Sequence, residues 1–371
     1  MDGFFVGLMT GTSADGIDAA LVEFRDKKYT ILATYYHRYP LSLRKKILAV
    51  AEVSDDRLDE VAVLDVMLGE MLAVAALSVI EKAGLVPSQV HAIGSHGQTV
   101  RHRADFSKPF TVQVGDPSII AVQTGVRVVS DFRRMDIAVG GQGAPLAPAF
   151  HHAIFESDTE VRVVLNLGGI ANITILPTGL SGEEVTGFDT GPANCLMDAW
   201  ISAVKEVQFD ECGYWAASGR VNQALLDQCL SDPYFSFEPP KSTGREYFNL
   251  AWLQAHLSHL GDDIPAEDVQ ASLCELTCRS IARAIEKHAP RAQHLIVCGG
   301  GANNSFLIQR LSERLGAMRV ETSHVCGIDP SWVEAAAFAW LARQRLCRKP
   351  GNLPSVTGAK RAVLLGGVYE S

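Results

Sequence analysis

The sequence predicts an α/β protein made of two similar lobes, and three observations support this prediction. The chain has 371 residues, which is more than one average domain contains and enough for two. Of these residues, 47% are hydrophobic and 20% are charged, a composition that supports packed cores throughout. An apolar strand, a polar glycine turn and a second apolar strand occur at residues 4–22 and again at residues 163–176. This repetition indicates two related halves.

The first half begins with a strand meander. Residues 3–9, 17–24 and 29–37 have the apolar and β-branched character of strands, and short polar turns join them. Apolar residues over 58–79 recur with a period of about 3.6, which predicts a helix that ends near Gly84. Further strands are predicted at 90–94, 110–114 and 126–130. A meander, a helix and later strands are the components of an RNase H-like lobe.

The second half repeats this plan less regularly. A helix is predicted to begin near Pro192, because proline fits the first turn of a helix. The other predicted elements are strands at 161–167, 170–176, 184–188 and 294–298, and helices at 271–288 and 305–315. The sequence therefore predicts a second RNase H-like lobe.

The boundary between the lobes is predicted at the glycine- and proline-rich stretch 140–148. This stretch acts as a flexible hinge, lines a ligand cleft, or does both. The predicted N-terminal lobe is 1–140 and the predicted C-terminal lobe is 141–371, with the final helix or tail able to pack back on the N-terminal lobe.

Charge and cysteine usage exclude several classes of protein. The net charge of −9 argues against a broad nucleic-acid surface, so anionic ligands are expected to meet small basic islands at 101–103 and 133–134. The 8 cysteines form no Cys-x-x-Cys pair and are predicted to be reduced. No basic leader and no run of about 18 apolar residues is present. These features predict a cytoplasmic protein that does not act at a membrane.

The first glycine turn is a candidate phosphate-binding hairpin. Its glycines let backbone amides face an anion, and its hydroxyls add donors. Asp15 and Asp18 are candidate Mg²⁺ residues that act through water. An ordinary tight turn is the alternative for this hairpin taken alone. The candidate ATP-binding residues here are Gly11, Thr12, Ser13, Ala14, Asp15, Gly16, Ile17 and Asp18.

Two later glycine segments are candidates for the same ligand. The second hairpin repeats the strand, glycine turn and strand of the first, and the triple glycine follows a buried strand and precedes a helix, where a ligand can approach the backbone. The candidate ATP-binding residues here are Asn166, Gly168, Gly169, Asn172, Gly299, Gly300, Gly301 and Asn303.

Asp189 is the candidate catalytic base. It ends a predicted strand, is followed by Thr190, Gly191 and Pro192, and comes soon after the second hairpin. A carboxylate at such a strand end, with apolar walls to tune its pKa, suits proton abstraction from an acceptor. The alternative is a helix cap for the helix near Pro192, and the catalytic interpretation is preferred.

Polar residues elsewhere are candidates for binding the acceptor. Residues 94–99 follow a strand and are rich in hydrogen-bonding groups, although a polar loop with a satisfied histidine is the alternative. Two arginines beside acids either form surface pairs of small value or bind a carboxylate through two parallel hydrogen bonds. Glu334 begins an apolar helix and either is an exposed first-turn acid or faces a ligand. The candidate residues are Ser95, His96, Gln98, Arg133, Arg134 and Glu334.

Residues 241–246 begin with Lys241, Ser242 and Thr243. These three residues are similar to the Lys-Ser/Thr pair with which a Walker loop ends. The preceding glycine frame is missing, so the match is attributed to chance. A solvated loop that reaches the cleft is the preferred interpretation.

The motifs also carry a family resemblance. Residues 11–18, 166–172 and 299–304, together with 187–194, resemble the phosphate-1, phosphate-2 and adenosine segments of the sugar kinase/Hsp70/actin superfamily. Over almost the whole chain, the sequence resembles the anhydro-N-acetylmuramic acid kinase family, and its other specific segments are 94–99, 131–148 and 241–246.

This resemblance implies two actin/Hsp70/sugar kinase-type lobes with a nucleotide cleft between them. It also implies ATP and Mg²⁺ as cofactors, a homodimer, bacterial origin and a role in peptidoglycan recycling. The implied reaction opens the 1,6-anhydro ring of 1,6-anhydro-N-acetylmuramic acid with water and phosphorylates O6, giving N-acetylmuramic acid 6-phosphate and ADP. Asp189 is then the residue that activates the water.

Residue chemistry alone supports only an ATP-dependent phosphotransferase with a polar, partly basic acceptor pocket. A chaperone-like ATP switch that responds to a protein partner uses the same nucleotide segments. A metal-dependent glycoside hydrolase would act without ATP, and a kinase for another sugar or carboxylate differs only in its acceptor. Fold analogy does not decide among these alternatives.

Overall fold

The computed structural model describes residues 1–11, 13–26, 28–52, 58–260 and 264–371, which form two compact units. Unit 1 consists of Met1–Phe150 and Trp332–Ser371, and unit 2 consists of His151–Ser331.

The elements of the first chain segment form most of unit 1. They are β1 (Gly3–Met9), β2 (Gly16–Arg25), β3 (Lys28–Arg38), α1 (Leu41–Glu52), α2 (Leu58–Lys82), β4 (Val90–Ser95), β5 (Gln98–Arg103), β6 (Phe110–Val114), α3 (Pro117–Thr124), β7 (Val128–Ser130), α4 (Phe132–Ala138) and α5 (Ala147–Phe155). The division between the units falls within α5.

Unit 2 continues the chain, and the last elements return to unit 1. Those of unit 2 are β8 (Arg162–Leu167), β9 (Ile170–Leu176), β10 (Thr186–Pro192), α6 (Asn194–Lys205), α7 (Tyr214–Ser218), α8 (Gln223–Leu230), α9 (Leu250–Ser258), α10 (Ala266–His288), β11 (His294–Cys298), α11 (Ser305–Leu315) and β12 (Arg319–Thr322). Those that return to unit 1 are α12 (Val333–Leu346), α13 (Pro354–Thr357) and β13 (Gly367–Tyr369).

The sheets of the two units share one strand plan, as the sequence predicts. In unit 1 the described strands are ordered β13-β7-β4-β1-β2-β3, with an antiparallel β1-β2-β3 meander and with β4 and β7 parallel to β1. In unit 2 the described strands are ordered β10-β9-β8-β11-β12, with an antiparallel β8-β9-β10 meander and with β11 and β12 parallel to β8. Each unit therefore has the RNase H-like arrangement, and the predicted fold class is confirmed.

Helix α2 packs on the meander of unit 1. Its inner face is buried at Leu64, Leu68, Leu72 and Val79, and it contacts β2 and β3. Among the described helices it alone is long and apolar enough to cross a membrane by length and composition. The core helix of a folded protein meets the same criterion, and half of the most apolar window of α2 is buried here.

Two local predictions differ from the structure. Strand β10 continues to Pro192 instead of ending near residue 188, because Gly191 and Pro192 pair with Ala171 and Ile170 of β9. Helix α6 therefore begins at Asn194. Residues 98–103, where the sequence analysis predicts no strand, form β5 and pair with β6.

Helix α12 is the apolar helix predicted from the sequence, and it packs directly on the sheet of unit 1 through two glycines. Gly7 of β1 and Gly94 of β4 are register partners. A Cβ atom on Gly7 would lie 1.8 Å from the carbonyl oxygen of Ala335, and one on Gly94 would lie 2.1 Å from that of Phe338. Only glycine at both positions allows the helix backbone to approach the strands this closely.

This packing explains why the units do not divide at residues 140 and 141, where the sequence predicts the boundary. Helix α12 contacts β1, β2 and β4, and β13 pairs with β7. Residues 332–371 therefore belong to unit 1, together with the residues up to Phe150.

We expect Gly7→Ala to lower the free energy of unfolding by about 3 kcal/mol, because a backbone carbonyl has little freedom to move away from the added methyl. Urea unfolding followed by circular dichroism measures the change. Gly300→Ala is the control, since its Cβ would meet no heavy atom within 4 Å. Equal unfolding midpoints for the two variants would contradict the proposed packing constraint.

Candidate active site

The turn between β1 and β2 is held against the turn between β4 and β5 within unit 1. The Thr10 hydroxyl donates to the carbonyl of Gly97 at 2.9 Å, and the Gln98 side-chain amide donates to the carbonyl of Gly11 at 3.1 Å. Ala14 adopts φ 51° and donates its N–H to Gly11 at 3.1 Å. The candidate phosphate-binding turn is therefore anchored on the strand that carries the candidate acceptor residues. Thr12 lies outside the described residues.

The acidic residues of this turn lie in different environments. Asp15 is 54% exposed and forms an ion pair with Arg44 at 3.1 Å. Asp18 is in β2 opposite Met9, and burial, followed by the charges of Glu334 and Asp15, raises its pKa to about 7. Glu334 lies in the first turn of α12, so this helix contributes a carboxylate to the surroundings of Asp18.

These carboxylates are suitable for a divalent cation. Mg²⁺ is usually held by one or two carboxylates together with waters and substrate phosphates, not by a cage of protein ligands alone. No cluster of three or more His, Cys, Asp or Glu side chains arranged for a metal occurs among the described residues. Asp15 and Asp18 could therefore provide the protein's share of a Mg²⁺ site in which substrate oxygens complete the coordination.

Three buried side chains at the end of β4 and the start of β5 carry polar atoms without a hydrogen-bond partner among the described residues. These atoms are the Ser95 hydroxyl oxygen, His96 Nδ1 and Gln98 Oε1. The three residues are 0%, 4% and 1% exposed. A buried polar atom that forms no hydrogen bond lowers the stability of a protein by about 1–3 kcal/mol. A ligand or a bound water is therefore expected to supply the hydrogen bond. Their clustering supports a ligand-binding surface.

Arg133 fixes the hydrogen-bonding state of His96. Its Nε and one terminal nitrogen lie 3.0 and 2.9 Å from His96 Nε2, and its other terminal nitrogen donates to the carbonyl of Gly143 at 2.8 Å. Because guanidinium only donates, His96 Nε2 must accept, and the ring proton resides on Nδ1. His96 thus carries Nδ1–H as a donor, and the carbonyls of Gly97 and Thr10 lie near its ring.

The electrostatics of this pair maintain that state. Burial and the charge of Arg133 place the pKa of His96 well below its ordinary value, against the opposing effect of the Gly97 and Thr10 carbonyls. Burial lowers the pKa of Arg133 to about 10, against the opposing charges of Glu334 and Asp136. At neutral pH the pair is therefore a neutral imidazole beside a charged guanidinium.

Arg134 is placed differently from Arg133. Its side chain is 61% exposed and forms an ion pair with Asp131 at 3.2 Å. That is the surface pair given as the alternative for these arginines in the sequence, while Arg133 lies among the candidate acceptor residues.

Asp189 lies within unit 2, in a row of polar residues that crosses its sheet. Asp189 pairs with Asn172, which pairs with Asn166, which in turn pairs with Cys298. Register partners on neighbouring strands project to the same face of a sheet. The candidate base and two candidate nucleotide-binding residues therefore share one face.

Main-chain and phenol contacts position Asp189. Its carboxylate accepts the N–H of Thr243 at 3.0 Å, and its own N–H donates to the carbonyl of Lys241 at 3.2 Å. The hydroxyl of Tyr234 donates to the carbonyl of Asp189 at 2.8 Å. Helix α6 has no side-chain cap, so the helix-cap alternative for Asp189 is wrong.

Burial is the main cause of the raised pKa of Asp189, which is about 6. The Thr243 N–H lowers the pKa, the charge of Glu246 raises it, and that of Lys241 lowers it. At neutral pH the carboxylate is thus mostly ionised, yet it is a much better proton acceptor than an ordinary aspartate.

The stretch 241–246 has a larger part in the site than the sequence indicates. Besides Lys241 and Thr243, it provides Arg245, whose guanidinium Nε would lie 2.9 Å from a Cβ on Gly169. The Lys241 ammonium lies 4.7 Å from the centre of the Tyr234 ring. The polar run was visible in the sequence, but its contacts with Asp189 and Gly169 depend on tertiary packing.

The two glycine segments of unit 2, at 168–169 and 299–301, pack closely against neighbouring residues at most of their positions. A Cβ on Gly299, which has φ 83°, would lie 2.3 Å from Asn166 Oδ1, and one on Gly301 would lie 2.7 Å from Leu167. Asn194 donates to the carbonyl of Gly168 at 2.8 Å. In contrast, Gly300 has open space on its Cβ side, and Asn303 is exposed. The backbone at Gly300 is therefore accessible to a ligand.

Comparisons with known proteins give a consistent result. A family model described as anhydro-N-acetylmuramic acid kinase matches residues 3–371. A Shewanella denitrificans protein of that name is 49% identical over 368 residues, covering 99% of this chain and 98% of the relative. One from Shewanella sp. strain ANA-3 is 50% identical over 368 residues, covering 99% of each.

Similarity to solved structures is more distant. The component A of (R)-2-hydroxyglutaryl-CoA dehydratase from Acidaminococcus fermentans matches with a TM-score of 0.46 and 14% identity, covering 91% of this chain and 97% of that one.

We expect Asp18→Asn to stabilise the protein increasingly as the pH rises from about 4 to about 7. In the folded protein the pKa of Asp18 is raised from 3.8 to about 7, so wild-type stability falls across this window as the unfolded chain ionises first. The variant lacks this loss. Thermal unfolding midpoints at pH 5, 6, 7 and 8 measure the difference.

The exposed carboxylate of Asp158 provides the control, and Asp158→Asn should not reproduce this trend. A difference between Asp18→Asn and wild type that stayed constant from pH 5 to pH 8 would contradict the assigned environment of Asp18.

Proposed function

The chain belongs to the anhydro-N-acetylmuramic acid kinase family, and we propose that it catalyses the reaction of that family in cell-wall recycling. It opens the 1,6-anhydro ring of 1,6-anhydro-N-acetylmuramic acid with water and transfers a phosphoryl group from ATP to O6. The products are N-acetylmuramic acid 6-phosphate and ADP. The observation that carries this function is the family match over residues 3–371.

Asp189 is proposed as the base that activates the water. Its carboxylate accepts one proton of the water as the oxygen bonds to the anomeric carbon, and the bond from that carbon to O6 breaks. The freed O6 then bonds to the γ-phosphorus while the bond from phosphorus to the β–γ bridging oxygen breaks, which releases ADP. A base with a pKa near 6 can accept this proton and return it to solvent at neutral pH.

The environment of Asp189 supports this role. The Thr243 N–H keeps one carboxylate oxygen oriented at 3.0 Å, and Tyr234 holds the Asp189 main chain. These contacts reduce the number of positions that the carboxylate samples, which is how an enzyme favours one geometry of attack.

The acceptor residues of unit 1 are proposed to bind the amino sugar. Arg133 retains N–H groups beyond those directed to His96 and Gly143, and the muramic lactyl carboxylate is a suitable partner for them. His96 Nδ1–H and the Ser95 hydroxyl supply neutral donors, and Gln98 Oε1 supplies an acceptor. Glu334 is proposed to face the sugar from the start of α12, and Arg134 is not included because it lies in its exposed pair with Asp131.

ATP is the proposed phosphoryl donor, and the candidate groups for its phosphates are main-chain amides of the glycine turns. Mg²⁺ is proposed at Asp15 and Asp18, where it would neutralise charge on the transferred phosphoryl group. The homodimer and the cytoplasmic location are also proposals. Analytical ultracentrifugation tests the first of these.

We expect ADP formation from Mg-ATP to depend on 1,6-anhydro-N-acetylmuramic acid. Mass spectrometry of the sugar product should show an increase equal to one water plus one phosphoryl group, because both bonds form in one turnover. ADP formation without the sugar, or a product that gained water alone, would contradict the proposed kinase reaction and favour an ATP switch or a hydrolase.

We expect Asp189→Asn to retain ATP binding and to lower kcat by about 10²–10⁴-fold, the usual contribution of a general base. Isothermal titration calorimetry with an ATP analogue and steady-state ADP assays measure the two effects. Asp210→Asn is the control, because Asp210 is a buried carboxylate of the same unit that accepts the N–H groups of Trp215 and Ala216. Near-normal turnover by Asp189→Asn would remove Asp189 from its proposed role.

A further inference from the structure

Asp136 is a buried carboxylate that the proposed mechanism does not use. It lies in α4, is 0% exposed and has three short hydrogen bonds to neutral donors. One carboxylate oxygen accepts from the Asn352 side-chain amide at 2.6 Å and from the Thr357 hydroxyl at 2.8 Å, and the other accepts from the N–H of Gly143 at 2.7 Å. Burying a charged group is costly unless such donors surround it.

The loop after α4 wraps around this carboxylate. The N–H of Gly141 donates to the main-chain carbonyl of Asp136 at 2.9 Å, and a Cβ on Gly141 would lie 2.2 Å from Asp136 Oδ2. Gly143 has φ 70°, and a Cβ there would lie 2.9 Å from the Ile137 side chain. The conformation of this loop is therefore determined by the carboxylate that it encloses.

Gly143 links the carboxylate to the acceptor residues. Its N–H is bound by Asp136, and its carbonyl accepts from Arg133 at 2.8 Å. Arg133 in turn holds His96 Nε2 through two further contacts. A continuous chain of hydrogen bonds thus runs from Asp136 through Gly143 and Arg133 to His96.

The residues at the other side of Asp136 come from a distant part of the sequence. Asn352 and Thr357 are 4% and 1% exposed, and the carbonyl of Thr357 accepts the N–H of Gln142 at 2.8 Å. Asn352 Oδ1 also accepts the N–H of Val363 at 2.8 Å. The carboxylate therefore cannot move without disturbing two segments that are themselves well packed.

We propose that Asp136 is a positioning residue for sugar binding: through Gly143 it fixes the direction of the Arg133 guanidinium and thereby the donor presented by His96. This inference rests on the proposed function, because the sugar is the ligand that Arg133 and His96 receive. Asp136 is 0% exposed, and its proposed contribution is to keep the donors in place before the ligand arrives.

Asp136→Asn tests this role. An amide of the same shape has one oxygen, which cannot accept from Gly143 and from the Asn352 and Thr357 pair together, so one buried donor loses its partner. We expect the KM for 1,6-anhydro-N-acetylmuramic acid to rise at least about tenfold, with the KM for ATP unchanged and kcat changed by less than about threefold.

Asp210→Asn is the matched control for a purely structural effect. It makes the same substitution in a buried carboxylate that also accepts backbone N–H groups, but in unit 2. It is expected to lower the thermal midpoint without changing the KM for the sugar. A comparable rise in the KM for the sugar in both variants would overturn the positioning role.

Gly143→Ala tests the same link without altering the carboxylate, and it decides the question if Asp136→Asn fails to fold. Its strained φ and its contact with Ile137 should displace the carbonyl that holds Arg133. Gly140→Ala is its control in the same loop, since Gly140 has φ 87° but would meet only the Lys360 side chain, at 3.5 Å. A raised KM for the sugar in Gly143→Ala alone supports the proposal, and equal values in both variants overturn it.

A readout independent of catalysis separates this inference from the proposed function. Long-range ¹H–¹⁵N spectra of His96 should show the Nδ1–H form in the wild type, and a shift toward mixed tautomers in Asp136→Asn. If the wild type showed no turnover of the sugar, the proposed function would fail, while the His96 spectrum would still test the positioning. An unchanged His96 spectrum in Asp136→Asn would overturn it.

Discussion

The close approach of α12 to β1 and β4 is the constraint on which the rest of unit 1 depends. Gly7 and Gly94 provide the space for the helix backbone, and the helix then brings two groups to the candidate site. Glu334 lies in its first turn and acts on the pKa of both Asp18 and Arg133. The Phe338 ring lies 4.7 Å from the His96 ring. A larger residue at either glycine would therefore displace both the electrostatic and the aromatic surroundings of the site.

The buried carboxylates near the candidate sites have two different kinds of surroundings. Asp136 accepts three short hydrogen bonds from neutral donors, which hold its carboxylate in one position. The Asp189 carboxylate accepts one N–H, that of Thr243, and burial raises the pKa of Asp18 to about 7 and that of Asp189 to about 6. Groups whose protonation is balanced near neutral pH are the ones able to exchange protons or bind a cation. The roles proposed for these carboxylates agree with this difference in their surroundings.

Much of the fold could be predicted from the sequence because its signals are local. Alternating and apolar runs identify the strands of both meanders, and the 3.6-residue period identifies α2. The end of β10 was predicted wrongly because Pro192 is a frequent first residue of helices, whereas here it is paired with β9. The unit boundary was also displaced, because the packing of α12 against glycines is a long-range contact that no local pattern records.

The candidate sites were predictable in residue type but not in arrangement. Glycine turns and strand-end polar residues pointed to Asp189, His96 and Arg133. No local feature distinguishes Arg133 from Arg134, since they are neighbours of equal chemistry and only the structure places one beside His96 and the other in a surface pair. The hydrogen bond from Thr243 to Asp189 likewise joins residues 54 positions apart.

The protonation state of His96 follows from this arrangement and limits what the acceptor residues can do. A cationic histidine beside Arg133 would place two positive charges together in a buried environment, and the shared contact at Nε2 prevents it. The imidazole therefore stays neutral and donates from Nδ1 without acting as a strong acid. In the proposed reaction, proton transfer is assigned to Asp189, whose pKa near 6 suits a proton acceptor, and Arg133 and His96 are assigned the role of fixed donors. Under this proposal binding and proton transfer are carried by different residues, so a change in the acceptor-binding donors would leave the strength of the base unaltered.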